Sequence, residues 1–158
     1  MLKRPINNNE SFFELAGKEA KKSLCLRDKC GAVVVKNGEV VGRGYNAPPN
    51  DDISQRMCQT DYRTSLKPKS DRTCCVHAEW RAILDAVRNY SDISGSALYF
   101  TRIDQNGNLQ RSGQPYCTVC SRLALDAGIK YFGLWHEEGI KLYDTKEYNL
   151  LSYDFYKG

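Results

Sequence analysis

The sequence predicts an α/β fold in a single domain spanning residues 1–158. Three observations carry that expectation. β-branched runs alternate with segments of helical periodicity, which argues for a layered fold with some parallel strand pairing. Two of the runs flank Asn37-Gly38, the dipeptide that most favours a tight hairpin. No linker, repeat or shift of composition divides the chain, and its 158 residues suffice for one hydrophobic core.

The elements follow in order. Asn7-Asn8-Asn9 is a polar cap cluster, after which Phe12, Phe13, Leu15, Ala16, Ala20 and Leu24 recur at helical spacing and predict a helix over 10–24. Strands are expected near 31–36 and 39–45, on either side of the Asn-Gly turn. Residues 47–73 hold Pro48, Pro49 and Pro68 and read as a long loop with a short helix around 53–58; loops of that length tend to be functional. Ala82, Ile83, Ala86 and Val87 place a second helix over 78–89, starting near His77. A third strand covers 97–101, and the Asp, Asn and Gly residues of 103–114 mark a polar loop or hairpin excursion. A third helix over 118–127 stops at Gly128. A fourth strand covers 131–135, and a short helix near 145–151 precedes a final aromatic segment.

Composition excludes several classes. With 41% hydrophobic and 27% charged residues the chain resembles an ordinary globular protein. Apolar runs such as Ala32-Val33-Val34-Val35 fall far short of the roughly 20 residues of a membrane span. The opening MLKRPINNNE has no apolar core of a secretory signal, so a cytoplasmic location is expected. A net charge of +4 permits an anionic substrate without demanding one. Arg43, Arg63 and Arg72 are candidate phosphate partners, although an arginine is more commonly a solvated charge. The seven cysteines cannot all pair within one chain, and their close spacing suggests metal before disulfide.

Three features compose one candidate metal site. His77-Ala78-Glu79 opens the second helix and Cys117-Thr118-Val119-Cys120 opens the third. One imidazole and two thiolates suit tetrahedral zinc, and three protein ligands leave a fourth position for water, the catalytic pattern. A helix N-terminus favours thiolate charge. Glu79, two positions after His77, would lie beside the ion without ligating it and could accept and return a proton. Taken alone, Cys-x-x-Cys is compatible with a redox or structural role, and His-x-Glu is common. The combination of H-x-E followed by P-C-x-x-C is the signature of zinc deaminases.

On these residues the chain resembles the zinc-dependent cytidine and deoxycytidylate deaminase superfamily. Gly31-Ala32-Val33-Val34-Val35 and Gly42-Arg43-Gly44-Tyr45-Asn46 are similar to the first hairpin of its deoxycytidylate deaminase branch. The resemblance covers roughly residues 10–135. It implies a three-layer α/β/α arrangement with a central mixed sheet. It implies Zn2+ on His77, Cys117 and Cys120, with Glu79 as proton shuttle. It also implies that Asn46 contacts the substrate sugar, that the Ala78 backbone holds the base carbonyl, and that subunits assemble into a homo-oligomer. Two departures adjoin the thiol pair. Tyr116 separates Pro115 from Cys117, and the loop from Ile103 to Gln114 is longer than the family's turn. Tyr116 could stack on a base; simple packing beside the turn is the alternative.

The expected reaction is hydrolytic loss of ammonia from a cytosine nucleotide or nucleoside, with deoxycytidine monophosphate leading. The alternatives are deamination of a base in single-stranded nucleic acid and a non-catalytic zinc-binding interaction module, which has no use for Glu79. Cys58, Cys74 and Cys75, with Cys30 or Cys25, form a second candidate metal set, for which reduced, buried thiols are the favoured reading. His136 reads as a surface histidine before a phosphate contact. Trp80 and Trp135 read as core or subunit contacts.

Overall fold

Asn37 and Gly38 both hold positive φ, 52° and 79°. Such a turn matches the twist of the strands it joins, and here it connects β1 (Lys29–Lys36) to β2 (Glu39–Tyr45) with Lys36 opposite Glu39. The computed structural model describes residues 8–58 and 74–155. Around this hairpin it assembles β3 (Ala97–Ile103), the short β4 (Leu109–Gln110), β5 (Tyr131–His136) and β6 (Gly139–Asp144) into one sheet. The strand order is β2-β1-β3-β5-β6, with β4 added to β3. Among the described strands only β3 and β5 run parallel; the helix between them supplies the crossover that parallel pairing requires.

The helices are α1 (Asn8–Ala20), α2 (Ala78–Asn89), α3 (Thr118–Asp126) and α4 (Thr145–Asp154). Alternate residues of each strand face opposite sides, so the sheet acquires two apolar layers. Val33, Val35 and Tyr99 face α1 through Phe13 and Ala16. Ala32, Val34, Leu98 and Phe100 share the other cluster with Ala82, Ile83, Ala124 and Tyr148 of the remaining helices. This is the three-layer α/β/α arrangement with a mixed central sheet. Phe13 and Phe132 are wholly buried, each contributing on the order of 1.5–3 kcal/mol.

Three expectations are corrected. The first helix spans 8–20, not 10–24. Beyond it, Ser23 Oγ donates to Asn46 Oδ1 at 2.6 Å and lies 3.1 Å from the Cys25 amide, holding the chain out of helical conformation. β6 was not expected. Its Ile140-Lys141-Leu142-Tyr143 alternation is short and follows a Glu-Glu-Gly turn, and it becomes a strand because β5 offers a free edge along six residue pairs. The loop helix near 53–58 is a single 3-10 turn at Ile53–Gln55, capped by the Asp52 carboxylate, after a first turn at Pro49–Asp51. Pro68 and residues 59–73 of the long loop lie outside the described residues, as do Arg63 and Arg72. Among the described residues no helix is long and apolar enough to cross a membrane.

Glycines let α2 lie directly on β2. A Cβ at Gly44 would stand 2.3 Å from the Ala78 carbonyl oxygen and 2.4 Å from the Ala82 nitrogen, both backbone atoms that cannot step aside. Gly42 meets the Ala82 carbonyl in the same way. The contact brings the first turn of α2, with His77 at its cap, onto the strand end. Gly44→Ala is therefore expected to destabilise the protein by about 1–3 kcal/mol through overpacking, read as a lower urea midpoint at unchanged m.

Candidate active site

Two helix starts meet at one end of the sheet. His77 is the N-cap residue of α2, in extended conformation, and Cys117 is the N-cap residue of α3. Residue 76 is fixed just before the first start by paired backbone bonds, Ala47 N to Val76 O at 3.3 Å and Val76 N to Ala47 O at 2.8 Å. Arg81, one turn into α2, grips the same loop. It donates to Asp51 Oδ1 at 2.9 Å and to the Pro48 carbonyl at 3.1 Å, and Tyr45 Oη donates to Asp51 Oδ2 at 2.6 Å.

His77 Nδ1 lies 3.1 Å from Cys120 Sγ and 3.6 Å from Cys117 Sγ, and the two sulfurs are 2.8 Å apart. These atoms and a Glu79 carboxylate oxygen all lie within 4.8 Å of one another. An ion bonded at about 2.0–2.3 Å would reach the imidazole and both sulfurs together, and a set of two thiolates and one imidazole matches zinc's preference. The residues therefore fit the metal. Hydrogen bonding from Cys120, with His77 beside it, lowers the Cys117 thiol to about 5, whereas burial and the neighbouring thiol raise Cys120 well above its ordinary value. The lowered thiol is the one more ready to give a thiolate ligand.

Glu79 is 5% exposed. Burial raises its carboxyl above the usual range, helped by the charge on Cys117 and opposed by His77. A carboxylate next to a metal position, inclined to hold a proton, is suited to shuttling one. The Ala78 N–H at the first position of α2 is among those a helix leaves without an intrahelical partner.

Asn46 is strongly engaged by the protein itself. Its Oδ1 accepts from the Cys30 amide at 2.9 Å and from Ser23, and its Nδ2 donates to the Asp28 carbonyl at 2.7 Å. One amide hydrogen remains for a ligand. Tyr116 is partly buried, accepts a hydrogen bond from Arg102 Nη2 and packs 5.5 Å from the Phe155 ring. Trp80 is more than core: its indole stacks on His77 at 4.2 Å and 6°. The i, i+3 spacing of His77 and Trp80 was the available signal. Trp135 packs on Phe13 beneath Arg111, as expected for a core contact. His136 lies 3.0 Å from the Ser112 carbonyl and 2.7 Å from Tyr143 Oη, so it is partly buried and links the segment at Ser112 to β6. A cleft of about 850 Å³ opens beside it, lined by Ser112, Pro115, Lys141 and Leu151 among others and by none of the four metal-facing residues.

The second cysteine set also assembles. Cys58 Sγ is 3.9 Å from Cys25 and 3.5 Å from Cys74, and Cys74 is 3.8 Å from Cys75. Cys25, Cys58 and Cys75 alone satisfy a mutual 4.8 Å limit. The member that sequence spacing left open is Cys25; Cys30 stands elsewhere, opposite Arg102 across β1 and β3.

Comparisons with known proteins agree with this geometry. A family model described as the cytidine and deoxycytidylate deaminase zinc-binding region matches residues 6–134. The deoxycytidylate deaminase of Mycobacterium phage D29 is 34% identical over 128 residues, covering 77% of this chain and 89% of that protein. Among solved structures, the dCMP deaminase of cyanophage S-TIM5 in complex with dCMP and dUMP has a TM-score of 0.58 at 27% identity, covering 83% of this chain and 82% of that one. A cytidine deaminase from Burkholderia pseudomallei shares the fold, with a TM-score of 0.58 at 16% identity, covering 88% and 94%. From the two helix starts, their imidazole and thiols, and a family match spanning most of the chain, it follows that this protein belongs to the cytidine and deoxycytidylate deaminases.

Proposed function

We propose that the protein converts dCMP and water to dUMP and ammonia. The observation that carries this reading is the buried cluster of His77, Cys117, Cys120 and Glu79, in a chain whose relatives include deoxycytidylate deaminases. His77, Cys117 and Cys120 would hold zinc, which when bound would make water acidic enough to serve as a nucleophile at neutral pH.

The chain's own groups supply the remaining work. Glu79 takes the proton that the attacking water loses and delivers it to N3 of the cytosine ring. It then takes the proton of the new C4 hydroxyl and passes it to the exocyclic nitrogen, the C4–N4 bond breaks, ammonia leaves with its electron pair and C4 is left as the carbonyl of uracil. The Ala78 N–H donates to the O2 carbonyl of the base, and the remaining Asn46 amide hydrogen meets the sugar. The flank of Tyr116 borders the base. Exposed apolar side chains on two elements, Leu84 and Val87 of α2 and Leu150 and Leu151 of α4, support assembly into a homo-oligomer. A free nucleotide substrate supports a cytoplasmic location.

Cys25, Cys58 and Cys75 would hold a second, structural zinc, with Cys74 beside them. These three thiols lie within reach of one ion, Cys74 stands 3.5 Å from Cys58, and such an ion would tie the α1–β1 connection to the loop preceding His77.

Ammonia release from dCMP is expected with zinc-loaded protein and not after chelation, with activity restored by added zinc. A panel of cytosine, deoxycytidine, dCMP and single-stranded DNA would overturn the reading if only the DNA reacted. Glu79→Gln is expected to keep its zinc yet lose about 10²–10⁴-fold in kcat; full activity in that variant would remove Glu79 from the mechanism. Metal analysis of native protein should find two zinc ions per chain and one in Cys58→Ser. A single ion, unchanged by the substitution, would leave the second cluster as reduced thiols.

A further inference from the structure

Arg102 is a charged residue that the mechanism above does not use. It lies opposite Cys30 in the β1–β3 register, two residues beyond Phe100. By strand alternation it therefore faces the side of the sheet that Phe100 and Leu98 turn toward α2 and α3. Its Nη2 donates to Tyr116 Oη, and its guanidinium carbon lies 5.2 Å from the centre of the Tyr116 ring. Tyr116 immediately precedes the metal-facing Cys117. Arg102 thus stands at the wall of the candidate active site, behind the residue that departs from the family pattern.

Two demands at this wall are unmet. Among the described residues no carboxylate comes within ion-pair distance of Arg102, and its Nε–H is buried without an acceptor. Tyr116 Oη accepts from Arg102, and the phenol's own hydrogen has no acceptor among the described residues. Asp28 and Cys30 lie near enough to act on the Arg102 charge, yet half-burying a guanidinium with no carboxylate at ion-pair distance is costly, and an apolar side chain of similar volume would fill the place without that cost. Tying β3 to the entry of α3 explains the Tyr116 bond but not the orphaned Nε–H. A ligand that brings both a negative charge and several acceptor oxygens explains both. Cytosine offers only neutral acceptors; the ionised group of a nucleotide is its phosphate, for which a guanidinium fork is well matched.

We propose that Arg102 and Tyr116 together receive the phosphate of the nucleotide, so that this pair distinguishes dCMP from deoxycytidine. The inference rests on the deaminase reading and names a specificity device within that site. The loop of residues 103–116 then has a purpose: it carries Tyr116 to the guanidinium.

The test compares wild type, Arg102→Lys, Arg102→Met and Tyr116→Phe, each zinc-loaded and checked for fold by circular dichroism. For each, kcat and KM are measured with dCMP and with deoxycytidine, and dUMP binding is measured by calorimetry. Arg102→Met is expected to lower the ratio of kcat/KM for dCMP over deoxycytidine by at least about tenfold, through KM, and to weaken dUMP by a similar factor. Tyr116→Phe should shift both in the same direction by less, and Arg102→Lys should retain part of the discrimination. An unchanged ratio in the variants, equal losses on both substrates, or wild type that does not prefer dCMP would each overturn the proposal and leave the deaminase reading standing. Wild type that releases ammonia from neither substrate would sink the deaminase reading itself, before any variant is compared.

Discussion

The structure depends on gathering four ionisable groups in one buried corner. Glu79, Cys117 and Cys120 are buried and His77 is half-buried, and each would be better solvated alone in water. Their mutual bonds offset part of that cost, and a shared cation would offset more, because it sets a positive charge among thiolates and a carboxylate. Everything nearby serves to bring the two helix caps together. Gly44 removes the side chain that would lift α2 from β2. The Ala47–Val76 bridge fixes the approach to His77, and the crossover from β3 to β5 delivers Cys117 to the same end of the sheet.

Around that corner the protein is rigid where chemistry needs it. Asn46 ties the turn after β2 to the segments carrying Ser23, Asp28 and Cys30. Arg81 and Tyr45 clamp Asp51 from two sides. Trp80 covers one face of the His77 ring and limits its rotation. Side chains held this way lose their freedom during folding and not during reaction, which is the useful time to lose it. The thiol cluster of Cys25, Cys58, Cys74 and Cys75 extends the same scheme to the loop that leads into α2.

Much of this was legible in the residues. The Asn37-Gly38 turn, the two flanking strands, α2, α3 and the strands at 97–101 and 131–135 follow from local turn chemistry and periodicity, and the structure contains them. The set of His77, Glu79, Cys117 and Cys120 was legible because metal ligation needs particular atoms at particular spacings, and two helix starts supply them. β6 was not, because a short strand without a β-branched run forms only where a neighbour offers an edge. The end of α1 was missed for a related reason: Ser23 is drawn away by Asn46, far off in sequence.

The sequence by itself determined the class of fold and the set of His77, Glu79, Cys117 and Cys120 that the structure gathers, since all of these reside in short segments whose chemistry is local. Only the tertiary structure decided which residues surround them. It chose Cys25 over Cys30 as the partner of Cys58 and turned Asn46 largely inward. It set Trp80 against His77 and placed the guanidinium of Arg102 behind Tyr116. The physical reason is common to all four. A lone thiol, amide, indole or guanidinium is compatible with many partners, and which one it meets depends on how distant segments pack, which no local pattern encodes.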